Sequence, residues 1–367
     1  MKLVFSKSEL NKAVGIVMKA VPTRTTMNIL ECILIDATTN VIKFTGNDME
    51  LGIETIVDGE ILEKGKVAIE AKLFSEIVRK LPDSEVTITT DSNYTSLITC
   101  ENSKINIAGK SGDDFSYLPI IDKDKMITIS QFNLKEIINQ TIFSTAPNDN
   151  NKMMTGELFE VSDNTLKVVG LDGHRIAIRN ITLEGRADDV KVVVPGKTLQ
   201  EISKILSTDA ENIVNIYFTN NHVLFEFDNT IVVSRLIEGE YFKINQMLSS
   251  DYETKVVINK KEFIDSIDRA NLLISESEKK PIIINITDGS LAVNVNSSKG
   301  KFDEDINIKK EGKDLMIGFN PKFLMDALRV IDDETVDIYL VNPKAPCFIR
   351  DANQSYIYLI LPVNFTA

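Results

Sequence analysis

The stretch "LDGHRIAIRN", residues 171 to 180, sets Asp172, Gly173, His174 and Arg175 side by side, and His174 is one of two histidines in the chain. An imidazole beside a carboxylate is raw material for general acid–base catalysis, and with further ligands it could hold a metal. The acidic pairs Asp113-Asp114, Asp188-Asp189 and Asp332-Asp333 could likewise suggest two-metal chemistry. Nothing in the sequence completes either arrangement. G-x-S-x-G, H-E-x-x-H, Walker A and G-x-G-x-x-G patterns are missing, and adjacent carboxylates on loops are usually just solvated. Asp172-Gly173 suits a tight turn because glycine tolerates positive φ, so His174 reads as a turn residue. His222, in "FTNNHVLFEF", reads as a strand-edge surface residue. No catalytic residue, metal or cofactor is expected.

The elements that would carry these residues belong to a globular chain. Its 367 residues suffice for two or three domains, with 43% hydrophobic and 26% charged residues. No apolar run reaches membrane-spanning length, so no membrane association is expected. "MKLVFSKSEL" turns polar too early for a signal-peptide core. Cys32, Cys100 and Cys347 are odd in number and far apart, which suits free thiols in a reducing cytoplasm. The net charge of −13 argues, as an average, against nucleic acid. Its distribution along the chain reverses that reading.

The chain repeats itself. "KLVFSKSELNKAVGIV", "MITISQFNLKEIINQTIF" and "KVVINKKEFIDSIDRANLLI" each read as a short alternating strand running into an amphipathic helix. A second set, "KVAIEAKLFSEIVRKLP", "KVVVPGKTLQEISKIL" and "DLMIGFNPKFLMDALRVI", places Lys72, Lys197 and Lys322 at intervals of 125 residues. Arg79, Lys204 and Arg329 keep the same spacing. Two cationic positions in register three times predict three homologous domains, 1–122, 123–251 and 252–367, with boundaries at the polar stretches "PIIDKDK" and "MLSSDYETK". Between the helices, "PIIINITDGSLAVNVNS" and "VLFEFDNTIVVSRLI" read as hairpins, and "LFEVSDNTLKVVGLDGHRIAIRN" as three short strands. The expected fold class is α+β, each domain packing two helices on antiparallel sheet.

The six predicted helices carry a net charge of +6, leaving −19 for the remainder. Lysines on outer helix faces are commonplace, but here they recur at equivalent positions while acids accumulate elsewhere. Six helices on one surface would make it positive on an acidic body. Six helix axes about 10 Å apart close a circle of roughly 19 Å, which side chains would fill; twelve close one of about 38 Å, with a hole of about 27 Å. That hole accommodates a B-form duplex, so two chains joined head to tail are expected.

With these observations the chain resembles the β sliding clamps of bacterial DNA polymerase III over essentially its whole length. "LDGHRIA", "SRLIEGEYF" and the ending "YLILPVNFTA" carry the resemblance together with the triple repeat. It implies a non-enzymatic ring, a head-to-tail homodimer that encircles duplex DNA without sequence preference and tethers the polymerase III alpha subunit, a clamp loader and other clamp-motif proteins. It also implies a pocket for their linear motifs, here Met154, Leu171, Gly173, His174, Arg175, Ile176, Phe242, Gln246, Met247, Pro346, Leu359, Ile360, Leu361, Pro362 and Val363. Leu171 stands where the family has threonine, Phe242 where it has proline, and Gln246 and Asn364 where arginines are frequent, so this pocket is more apolar and less cationic. Arg24, Lys72, Arg79, Lys197, Lys204, Lys322 and Arg329 are expected to face DNA, and Ile105 and Ile107 to meet the partner's Leu272 and Leu273 at the dimer joint. The competing readings are an acidic interaction scaffold that never meets DNA, and a hydrolase or nuclease built on His174 and nearby carboxylates.

Overall fold

The computed structural model describes residues 1–185, 187–275 and 280–365. Its six α-helices among these residues fall where the repeats place them: α1 (Lys7–Val17), α2 (Ala71–Lys80), α3 (Gln131–Asn139), α4 (Gly196–Ser203), α5 (Lys260–Asn271) and α6 (Pro321–Arg329). Each follows a strand at once or after one residue, and in α1, α2, α5 and α6 the residue at the junction caps the helix. Ser6 accepts from the Glu9 N–H, Asn259 from that of Glu262 and Asn320 from that of Lys322, with Pro321 in the first turn where its missing N–H costs nothing. Glu70 does the same for α2, accepting from Lys72 and Leu73. α1 and α3 are shorter than their apolar periodicity suggested. Each gives way to a tighter 3-10 turn, Met18–Ala20 and Ile142–Ser144; after α3 the Thr141 hydroxyl donates to the Ile137 carbonyl at 2.6 Å, a bond that competes with the regular ladder.

The chain forms two compact units, Met1–Lys135 with Lys197–Leu236, and Glu136–Gly196 with Ile237–Ala367. The middle repeat is thus shared between them. The first unit is built on a 13-stranded sheet and the second on a 12-stranded one, counting described residues. Each sheet crosses a repeat boundary. Thr230–Arg235 pairs antiparallel with Leu51–Val57 in the first unit, and Arg175–Thr182 pairs antiparallel with Tyr356–Ile360 in the second. The expected hairpins are present, and Gly289 takes φ of 76° at the turn that Asp288-Gly289 marked. His222 departs from expectation. It opens a strand flanked by Ile213–Phe218 and Thr230–Arg235, because two strands of the same repeat cover both its sides.

The cores follow the helix periodicity. In the first unit Phe5, Phe44 and Phe74 form a chain of ring contacts at 5.9 and 6.5 Å beneath α1 and α2. In the second, Phe263 and Ile267 of α5 and Leu324 and Leu328 of α6 are buried against strands of the third repeat. The three cysteines are all free and buried. Among the described residues no helix is long and apolar enough to cross a membrane.

Candidate functional site

The "LDGHRI" segment is a turn held by its own acid. Asp172 Oδ1 accepts the backbone N–H groups of His174 and Arg175 at 3.1 and 3.2 Å, and Gly173 takes φ of 83°. Asp172 Oδ2 is engaged by Arg175 Nε at 3.0 Å. The carboxylate is therefore committed to the turn and to the guanidinium, and among the described residues no acid is left to orient the exposed imidazole. The His174 ring lies 5.9 Å from that of Phe323 between centroids.

The strand after this turn is joined by the end of the chain. Ile176 lies opposite Leu171 on one side and Leu359 on the other, and the Leu361 N–H donates to the His174 carbonyl at 2.9 Å. Side chains alternate across a strand, so Leu359 and Leu361 reach the same face. A third wall comes from the segment after the middle repeat's last strand. There the Tyr241 hydroxyl donates to the Val169 carbonyl at 3.1 Å, and its ring meets Phe242 edge-on at 5.6 Å. Together these walls enclose a groove of about 340 Å³, lined by Met154, Leu171, Gly173, His174, Arg175, Ile176, Phe242, Met247, Pro346, Leu359 and Leu361. A mainly apolar concavity of this size fits a few side chains of an extended peptide.

Four expected residues stand apart from that lining. Ile360 alternates to the opposite face and is buried in the core of the third repeat. Gln246 is exposed in a short 3-10 turn beside Met247. Pro362 and Val363 run past the groove, with the Val363 N–H donating to the Gly318 carbonyl at 2.8 Å.

The helix cations differ by repeat. Lys197 Nζ lies 2.5 Å from Asp48, Lys204 2.7 Å from Glu201, Lys322 2.6 Å from Asp326, and Arg329 3.4 Å from Asp268. Arg24, Lys72 and Arg79, all from the first repeat, have no acidic partner among the described residues. Most of the repeated cations thus carry their own counter-charge, which sequence periodicity did not reveal. The acidic pairs are dispersed: Asp113 bridges to Lys66 at 2.6 Å and Asp333 accepts the Tyr356 hydroxyl at 2.8 Å. Among the described residues no group of three His, Cys, Asp or Glu side chains is placed to hold a metal.

At the expected joint, Ser103–Ala108 pairs, among the described residues, along one side only, with the strand before it, while the same strand's far end, Gly109–Ser111, also meets Val67–Ile69. Ile105 is half-buried. Ile107 is buried within its own chain, because alternation turns it inward. Leu272, at the end of α5, is 75% exposed, whereas Leu273 packs partly against the third repeat's core.

Comparison with known proteins decides the family. Profiles of the DNA polymerase III beta subunit match end to end: its N-terminal domain at residues 1–119, its central domain at 128–243 and its C-terminal domain at 245–364. The chain belongs to this family. The beta sliding clamp of Staphylococcus epidermidis is 36% identical over 360 residues, 95% of each chain. A crystal structure assigned to a DNA polymerase III beta subunit of Eubacterium rectale superposes with a TM-score of 0.97 at 66% identity over the whole of both chains. The DNA polymerase sliding clamp of Bacillus subtilis superposes at 0.96 with 33% identity, again over the whole of both. The activity is that of a sliding clamp for DNA polymerase III, a processivity factor without a catalytic centre. The three repeats, each with helices on antiparallel sheet, are the clamp fold.

Proposed function

We propose that this sliding clamp works in the cytoplasm as a head-to-tail homodimer around duplex DNA, and that the groove between the "LDGHRI" turn and the chain end receives its partners. The observation that carries the reading is that three segments far apart in sequence wall one apolar groove, with Leu359 and Leu361 from the very end of the chain on its surface. Tyr356–Ile360 is annealed to the strand Arg175–Thr182, and Leu359 and Leu361 turn their apolar side chains to the concavity. The occupants are the polymerase III alpha subunit, the clamp loader and other proteins bearing an extended motif with glutamine near its start and leucine or phenylalanine near its end. Partner specificity rests on shape more than charge, since Arg175 has its guanidinium nitrogens committed inside the protein.

The repeats divide near residues 122 and 251. Arg24, Lys72, Arg79, Lys197, Lys204, Lys322 and Arg329 meet phosphates through weak, partly water-mediated contacts, because base-specific bonds would pin a sliding ring. The joint sets Ile105 and Ile107 of one chain against Leu272 and Leu273 of the other, extended by strand pairing; among the described residues the edges of Ser103–Ala108 and Gly300–Asn307 are open for it.

Retention tests this reading. Loaded onto closed-circular DNA, the clamp should stay through gel filtration at moderate salt and be lost when the circle is linearised. Equal loss from both forms would leave an acidic scaffold in place of a ring.

A further inference from the structure

Arg175 is a brace. Its Nε donates to Asp172, Nη1 to Asp326 at 2.7 Å and Nη2 to the Phe143 carbonyl, while the guanidinium plane lies over Phe323 at 4.5 Å. It is only 7% exposed. Through Asp326 and Phe323 it fastens the groove-forming turn to α6. The same oxygen of Asp326, Oδ2, also accepts Lys322 Nζ at 2.6 Å. Lys322 is 67% exposed. One carboxylate oxygen is therefore shared between a solvent-facing lysine and the buried arginine that holds the groove wall.

We infer that Asp326 is a positioning residue that couples phosphate contact at Lys322 to peptide binding in the groove. The inference rests on the assignments of Lys322 to DNA and of the groove to partners. When Lys322 turns to a phosphate, Asp326 Oδ2 loses a competing donor, and its charge falls wholly on Arg175. The brace tightens, the turn bearing Leu171, His174 and Ile176 is held more firmly to α6, and less ordering remains for the peptide to impose. DNA in the ring thus favours partner binding. The exchange is lysine for phosphate on an exposed side chain, so the effect is modest: about two- to five-fold, the scale of a partly exposed ion pair. Linkage makes it reciprocal, so bound peptide strengthens duplex binding by the same factor.

The experiment titrates the intact dimer with a fluorescent peptide of zero net charge, with glutamine near its start and leucine-phenylalanine at its end, with and without a short linear duplex at low salt. The duplex should tighten the peptide about two- to five-fold, and saturating peptide should tighten the duplex equally. Lys322→Ala, an exposed change that leaves the fold alone, should remove the response, and Lys322→Arg should restore it. Asp326→Asn should weaken the peptide and remove the response as well. Peptide and duplex both binding wild type, each indifferent to the other, overturns the coupling and leaves the two sites standing. A response that persists in Lys322→Ala overturns it too, since it runs by another path. Failure of wild type to bind either probe overturns the site assignment beneath the coupling, and the coupling with it.

Discussion

Glu157 shows how far a single residue can stand outside the pattern around it. It sits in the strand Gly156–Ser162, wholly buried, and among the described residues neither carboxylate oxygen has a hydrogen-bond partner. Burial raises its pKa from 4.5 to about 8. Tyr241, behind the groove, is raised as well, first by burial and then by this carboxyl. The folded state therefore holds the Glu157 proton more tightly than the unfolded one. The associated stability is intact below pH 4.5, falls as pH rises toward 8, and stops changing once both states are ionised. Glu157→Gln should flatten that part of the stability profile and raise stability at its alkaline end by on the order of 2–4 kcal/mol. Thermal melts across this range measure it; an unchanged slope in the glutamine variant would rule the assignment out. None of this was legible in the sequence, where Glu157 stands just before the stretch "LFEVSDN" read as a short strand. The turn at Asp172-Gly173 was legible, because its geometry depends only on neighbours.

At the scale of elements, strands and helices announced themselves by period, and their ends by capping residues. What the sequence left open was which face each residue takes. In "YLILPVNFTA" the whole apolar run was expected in the groove, yet pairing with Arg175–Thr182 sends Leu359 and Leu361 to it and Ile360 to the core. A register of one residue decides this, and register belongs to the partner strand. Deleting Leu361–Ala367 therefore removes one wall of the groove and the bond to the His174 carbonyl while sparing the ladder up to Ile360. The truncated clamp should stay folded and dimeric, with peptide affinity reduced at least about ten-fold, the loss expected of a central apolar anchor. Undiminished binding to the truncated, folded ring would sink the groove assignment.

For the whole molecule, the triple repeat and the charge asymmetry were visible in the sequence, but ion pairs spanning the chain were not. Lys197 with Asp48 joins residues 149 apart, beyond any local pattern; Lys322 with Asp326 is at helical i,i+4 spacing and could have been found. Self-neutralised cations predict a shallow hold on DNA. Duplex affinity should fall with salt, and Glu201→Gln, which frees Lys204, should steepen the log–log slope by about 0.9 and tighten binding at low salt. An unaltered slope would mean that Lys204 meets no phosphate; a sequence-specific footprint would contradict the sliding arrangement altogether. The ladders that cross the repeat boundaries bear on the ancestry of the chain. Three homologous units invite the picture of interchangeable beads, but a first repeat cut free at residue 122 would bare the backbone of Leu51–Val57 along its flank, and a third repeat alone would bare Tyr356–Ile360. Such edges are adhesive. The repeats are obligate neighbours, and any rearrangement that shuffles one of them must bring a matching strand with it or produce an aggregate.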